Sequence, residues 1–139
     1  MRLFIGTLSL AVSMLLIAAC QSSSGSGLTG KTWQWTGSTT TVPASQSVVP
    51  DPENYTITFN TDGTFAAKVD CNQVAGDYTT SGSDLTITPG PSTLAACPEG
   101  SLDALYLDGL GRAKTFSISG TDLTITLDDE GTMQFVAAS

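Results

Sequence analysis

The sequence contains no histidine. That removes the side chain most used as a general base and as a metal ligand near neutral pH. It also removes serine–histidine and cysteine–histidine catalysis. Positive charge is scarce: 5 Lys and Arg stand against 13 Asp and Glu in 139 residues. Such a surface repels phosphate backbones, so nucleic acid is not an expected partner. The acidity reads as solubility. Cysteine occurs only at Cys20, Cys71 and Cys97, none in the C-x-x-C spacing of a redox pair. The length accommodates one domain and not comfortably two, and a monomer is expected.

What is present begins with an apolar run. Arg2 supplies a positive start, and residues 3–19 are apolar or small apart from hydroxyl residues. The run is short for a membrane-spanning helix and suits a signal peptide. It ends in Ile17-Ala18-Ala19-Cys20, which resembles the bacterial lipobox. The resemblance implies cleavage after residue 19, a diacylated Cys20 and acylation of the new amino terminus. The alternative is an ordinary secretory signal followed by a chance cysteine. Several acyl chains make a stable anchor where one does not, so the expected partner is a membrane, reached through the N-terminal lipid. Gln21 is not the aspartate that marks inner-membrane retention in enteric bacteria. The expected location is therefore the outer membrane, facing the periplasm. Cleavage takes away Arg2 and leaves 4 basic against 13 acidic residues, a net charge of −9. Residues 20–27 are the lipidated cysteine and a Ser/Gly-rich tether, and the folded domain occupies 28–139.

From Leu28 onward the pattern is strand-like. In "YTITF", Tyr55, Ile57 and Phe59 share one face; in "TFAAKV", Phe65, Ala67 and Val69 do. "NTDG" between them reads as a hairpin turn in which Gly63 takes positive φ. "DLTIT" occurs twice, from Asp84 and from Asp122, as an internal duplication or because hairpins converge on such words. "TFSIS" and "TMQFV" complete a meander with the second copy, and "TWQW" is the first strand. Many short strands at near-regular spacing predict an antiparallel barrel or sandwich. One segment, "SLDALYLDGLG", reads as helix, with Leu102, Leu105, Tyr106 and Leu110 on its buried face. Ser101 is its expected N-cap and Gly111 its end. Such a helix would plug an open barrel end or cover a sheet edge. Residues 38–55, with three prolines and many hydroxyls, read as a long surface loop.

Three features are candidates for chemistry. In an oxidising compartment, Cys71 and Cys97 are expected to form a disulfide, with a redox pair or a metal site as the lesser alternatives. The acidic run Asp128-Asp129-Glu130 before Gly131 is consecutive, whereas a calcium loop sets its oxygen ligands at alternate positions. It reads as a solvated hairpin turn. No carboxylate pair is singled out for glycoside hydrolysis. Trp33 and Trp35 have the same parity in their strand and face the same side, either as core or as a ligand-facing aromatic pair. No catalytic residue, metal or cofactor is expected.

Several words taken together resemble the META domain family, to which the HslJ-like bacterial heat-shock lipoproteins belong. They are "LTGKTWQW", the "F-x-x-D-G-T" hairpin from Phe59, "DCNQVAGDYT" from Asp70, "LTITPGPSTLAACP", "YLDGLGRAKTFSISGTDLTI" and a final "GTMQF". They span residues 28–136. The resemblance implies a mainly β fold, a small antiparallel lipocalin-like barrel with one short helix, in the cell envelope and without carried-over catalytic residues. The expected role is a non-catalytic, stress-related binding or structural module with a protein or small-molecule ligand. The alternative is an inhibitor of an incoming enzyme such as a lysozyme, whose basic surface an acidic barrel would steer. Asn72, Gly76 and Tyr78 are expected to be turn and packing residues around Cys71.

Overall fold

The computed structural model describes residues 27–91 and 94–139. The signal segment 1–19, Cys20 and the tether as far as Ser26 lie outside them. Among the described residues nine strands follow in order: β1 (Thr32–Thr41), β2 (Ala44–Val48), β3 (Tyr55–Phe59), β4 (Thr64–Val69), β5 (Asn72–Ser81), β6 (Asp84–Pro89), β7 (Ala113–Ser119), β8 (Asp122–Leu127) and β9 (Thr132–Ala137). One helix, α1 (Asp103–Gly111), lies between β6 and β7. Neighbouring strands pair antiparallel, and β1 pairs with β9 as well as β3. β1 and β3–β9 therefore close into an eight-stranded barrel, and β2 stands outside the ring, paired with β1.

The ring follows from period-two alternation. Along β3, Tyr55, Ile57 and Phe59 are buried; along β4, Phe65, Ala67 and Val69. The turn between them is held by Asp62, whose carboxylate accepts the Thr64 N–H at 3.0 Å and its hydroxyl at 2.6 Å, with Gly63 at φ +85°. The Thr64 hydroxyl and N–H hold the Asp62 carboxyl below its ordinary range.

The ladders are unequal around the barrel. β8 pairs with β7 and with β9 along most of its length. β6 pairs fully with β5 but meets β7 through Asp84 and Thr115, with one further bond from the Phe116 N–H to the Ser83 carbonyl at 2.9 Å. α1 packs against β6 at this seam. Its Tyr106 and Leu110 are wholly buried with Trp33, Trp35, Ile57, Phe59, Leu123 and Phe135. The helix thus closes the barrel where the two strands part.

Two expectations are corrected. Residues 38–55 are not a long loop. β1 runs on to Thr41, turns through Val42 and Pro43, and returns as β2; a short 3-10 turn, Pro52–Asn54, leads into β3. The ladder of β1 with β9 shifts register between Trp35 and Gly37, at the place where the other edge of β1 passes from β3 to β2. Residues 32–34 pair with β3 and residues 37–41 with β2. The β-branched threonines that looked like loop residues are strand formers once a partner strand exists. The second correction concerns α1: Leu105 is 52% exposed. The buried face is Tyr106, Gly109 and Leu110. A Cβ at Gly109 would lie 2.5 Å from the Met133 sulfur, so the missing side chain lets the helix dock through Gly109 and turns Leu105 outward. The N-cap is Leu102 rather than Ser101. The Leu102 N–H donates to the Tyr55 hydroxyl at 2.8 Å, and Ser101 Oγ accepts the Asp103 N–H at 3.2 Å.

Candidate functional site

The start of the word "DCNQVAGDY", from Asp70 to Asn72, forms a clamp at the end of the barrel that carries α1, and the rest runs along β5 towards the β3–β4 turn. The β4–β5 turn places Asp70 at φ +56° and presents Cys71, which is bonded to Cys97. Beside it, Asn72 is buried and uses both ends of its amide on one distant residue. Nδ2 donates to the Ala95 carbonyl at 2.9 Å, and Oδ1 accepts the Ala95 N–H at 2.9 Å. A covalent and a two-point polar link thus tie the segment between β6 and α1 to the β4–β5 turn. Gly76 is required because a Cβ there would lie 2.3 Å from the Thr88 carbonyl and 2.8 Å from the Phe65 ring. Tyr78 packs edge-on against Phe59 and donates its hydroxyl to the Asn60 carbonyl at 2.6 Å. All four residues lock backbone; none presents a reactive group to a cleft.

Trp33 and Trp35 face the same side, inward. Both are fully buried. The Trp33 indole N–H donates to the Leu28 carbonyl at 2.9 Å; that of Trp35 donates to the Gly37 carbonyl at 2.8 Å and to Ser38 Oγ at 3.2 Å. Trp35 stacks on Tyr106 at 5.2 Å and meets Tyr55 edge-on at 5.7 Å. The pair fills the core, and both indole N–H groups are satisfied there by nearby acceptors of the same chain segment, Leu28, Gly37 and Ser38. The Tyr106 hydroxyl is buried without a hydrogen-bond partner among the described residues, and burial pushes its ionisation well above the ordinary tyrosine value.

A second polar cluster joins α1 to the β8–β9 turn. Arg112, just past the helix, reaches Asp129 at 2.6 Å, Asp128 at 2.9 Å and Asp108 at 3.4 Å. Asp129 is held below the ordinary carboxyl range by Arg112 and then by the Gly131 N–H. The guanidinium takes the position a bound cation would need. Among the described residues no three His, Cys, Asp or Glu side chains converge as metal ligands. The acidic run is a turn with a cationic pin, and the pin is the residue that reading the run by itself did not include. Arg112 lies one position beyond the helix end, and that placement was the available signal.

Two open grooves lie on the outside of the barrel, and a smaller pocket of about 50 Å³ lies beside α1, lined among others by Leu105, Gly109, Arg112, Leu127 and Met133. One groove, of about 350 Å³, is lined by Thr32, Thr56, Thr58, Ala66, Lys68 and Gln73. Lys68 at its rim is tied to Asn54 Oδ1 at 2.8 Å. Another, of about 330 Å³, lies beside the β1–β2 hairpin, with Gly37, Thr39, Gln46, Val48 and Gln134 among its lining.

These features define a small helix-closed β-barrel whose long β6–α1 connection is stapled by a cystine and an asparagine. The META domain matches residues 26–139, and the chain belongs to the META domain family. A search among curated proteins finds no match. Among solved structures, the chain is similar to a protein from Burkholderia xenovorans at 16% identity and TM-score 0.68, covering 100% of this chain and 99% of that one. It is also similar to a DUF4847 family protein from Bacteroides vulgatus at 15% identity and TM-score 0.64, covering 81% and 95%. At these identities the likeness shows the fold. Among the described residues no helix is long and apolar enough to cross a membrane.

Proposed function

We propose that this chain is a non-catalytic, lipid-anchored module of the bacterial envelope, held by Cys20 to the outer membrane on its periplasmic side. There it serves as a stress-related binding or structural element. The observation that carries the reading is the filled interior. Trp33, Trp35, Phe59, Phe65, Tyr106 and Phe135 are each at most 2% exposed, and side chains occupy the space in which a hollow barrel holds a ligand. Recognition is left to the outer faces and the hairpin. The anchor rests on the small residues before Cys20 and on the Ser/Gly tether after it.

The test has two arms. Titrating the soluble domain with a fluorescent fatty-acid analogue should give no saturable uptake; saturable one-to-one binding that quenches Trp33 and Trp35 overturns the filled-interior reading. Replacing Cys20 with Ser should move the full chain from the detergent phase to the aqueous phase, and unchanged partitioning refutes lipidation. The inhibitor alternative rests on the acidic charge alone. Sub-micromolar, salt-sensitive inhibition of a lysozyme by the soluble domain would put it in place of the binding-module reading.

A further inference from the structure

β2 lies outside the barrel and has no role in closing it. β2 is exposed at all five positions and pairs with β1 on one side, while no strand covers its other edge among the described residues. Open edges are normally protected by lysine, an inward charge, an internal proline or a bulge. β2 has none of these; its nearest prolines, Pro43 and Pro50, lie just beyond its two ends. The charge pattern marks the same place. Residues 32–50 carry no charged side chain, although the chain as a whole is at −8.

The strand reads Ala44-Ser45-Gln46-Ser47-Val48, which has the same character in both directions. If two copies meet antiparallel about a two-fold axis at Gln46, then Gln46 lies opposite Gln46, Ser45 opposite Ser47, and Ala44 opposite Val48. Polar meets polar and aliphatic meets aliphatic at every position, as an isologous contact requires. Val48, 81% exposed in the single chain, gains an aliphatic neighbour. Two acidic molecules also approach here without bringing like charges together, which costs energy elsewhere on the surface.

We infer that the outer edge of β2 is a self-association site, at which two copies pair antiparallel about Gln46 and join their sheets into one. The occupant is a second copy of this chain, in place of the expected monomer. Five-residue edges bury far less than the roughly 1,200–2,000 Å² of a stable interface, so the pairing is weak and depends on local concentration. Anchoring in a membrane supplies that concentration; in this respect the inference rests on the proposed lipid anchor.

The test is register-specific crosslinking of the full chain in membranes. Directly opposite residues have Cα atoms about 4.5–5.5 Å apart, within disulfide reach. Gln46→Cys alone should therefore give an oxidised dimer on a non-reducing gel, many times above the background of the unaltered chain. Ala44→Cys alone should not, because its copies are offset by four residues, roughly 13 Å along the strand. Ala44→Cys co-expressed with Val48→Cys should crosslink again. Adding Ser45→Lys to Gln46→Cys should return the dimer to background, whereas Thr86→Lys, on the exposed face of β6, should leave it unchanged. Thermal melts of each variant check that the barrel, which does not include β2, is intact. Equal crosslinking at all positions, or none at Gln46→Cys, overturns the inference. Detergent partitioning of the same samples reads anchoring separately. If the chain proves free of the membrane, the same pattern is required of concentrated purified protein.

Discussion

β6 and β8 open with the same five residues, Asp-Leu-Thr-Ile-Thr, and the barrel uses them differently. In both, the leucine and isoleucine enter the core: Leu85 and Ile87 in one, Leu123 and Ile125 in the other. On the outside they diverge. Thr124 and Thr126 are half-buried between two ladders, whereas Thr86 and Thr88 are exposed. β8 is wall, with a partner on each side; β6 is the margin of a seam that meets β7 through Asp84 and Thr115. Local residues specify that a strand forms and which way it faces. How many neighbours it gains is decided by the connections: a four-residue turn after β8, and a long stapled segment with a helix after β6.

The largest test of that difference is Tyr106→Ala. It removes the side chain by which α1 fills the core beside Trp35 and Phe135, and should cost about 3–5 kcal/mol in denaturant melts, as truncation of a large buried aromatic does. Tyr106→Phe should stay within about 1 kcal/mol or stabilise, because the hydroxyl it removes has no partner. The pH dependence has a definite sign. The folded state raises the Tyr106 value, so the contribution is present below the unfolded value near 10 and is lost as pH rises above it. Tyrosine absorbance should show one residue that ionises only with unfolding.

Next in size is the staple. A separation of 26 residues corresponds to about 3–3.5 kcal/mol in the chain-entropy treatment. Cys71→Ser and Cys97→Ser should each lower stability by similar amounts, with no further loss in the double variant; two free thiols in the native oxidised protein would contradict the bridge. The loss should be felt first at the seam. Smaller again is a contrast in native-state hydrogen exchange. Amides of β8 should exchange only with global unfolding, while those of β6 on the side of β7 should exchange through local opening. Equal protection on both strands would abolish the distinction between wall and seam.

The smallest effect concerns the Arg112 pin. Asp129 is depressed in the fold, so its contribution is present above the unfolded carboxyl value near 3.9 and disappears as pH falls through the folded value. Asp129→Asn should flatten the acid limb of the stability curve, lying slightly below the unaltered chain at neutral and alkaline pH and converging with it at strongly acid pH. Solvent screening keeps each of these exposed pairs weak.

The strands that could be read in advance are those with strict alternation, such as β3, β4, β8 and β9, because a half-buried strand writes its facing into every second residue. The β1–β2 hairpin could not be read, because exposed Ser and Thr carry no such alternation and Pro43 suggested loop. The helix was legible as a helix, but its docking face depended on Gly109 against Met133, a contact between distant residues. In the clamp, the cysteine pair follows from compartment and count. The two-point hold of Asn72 on Ala95 does not, since nothing local says which backbone an asparagine will meet across 23 positions. Both tryptophans were placed on one side by parity; only the packed barrel shows that this side is the interior.

Leu28 has a mechanical consequence. It stands just after the tether, its side chain wholly buried and its carbonyl held by the Trp33 indole, with Thr29 bridged to Phe59. Tension pulling on the N-terminus therefore meets a latch seated in the core before it reaches the first strand. In the proposed anchored form, drag at the N-terminus enters the barrel core at Leu28, ahead of β1.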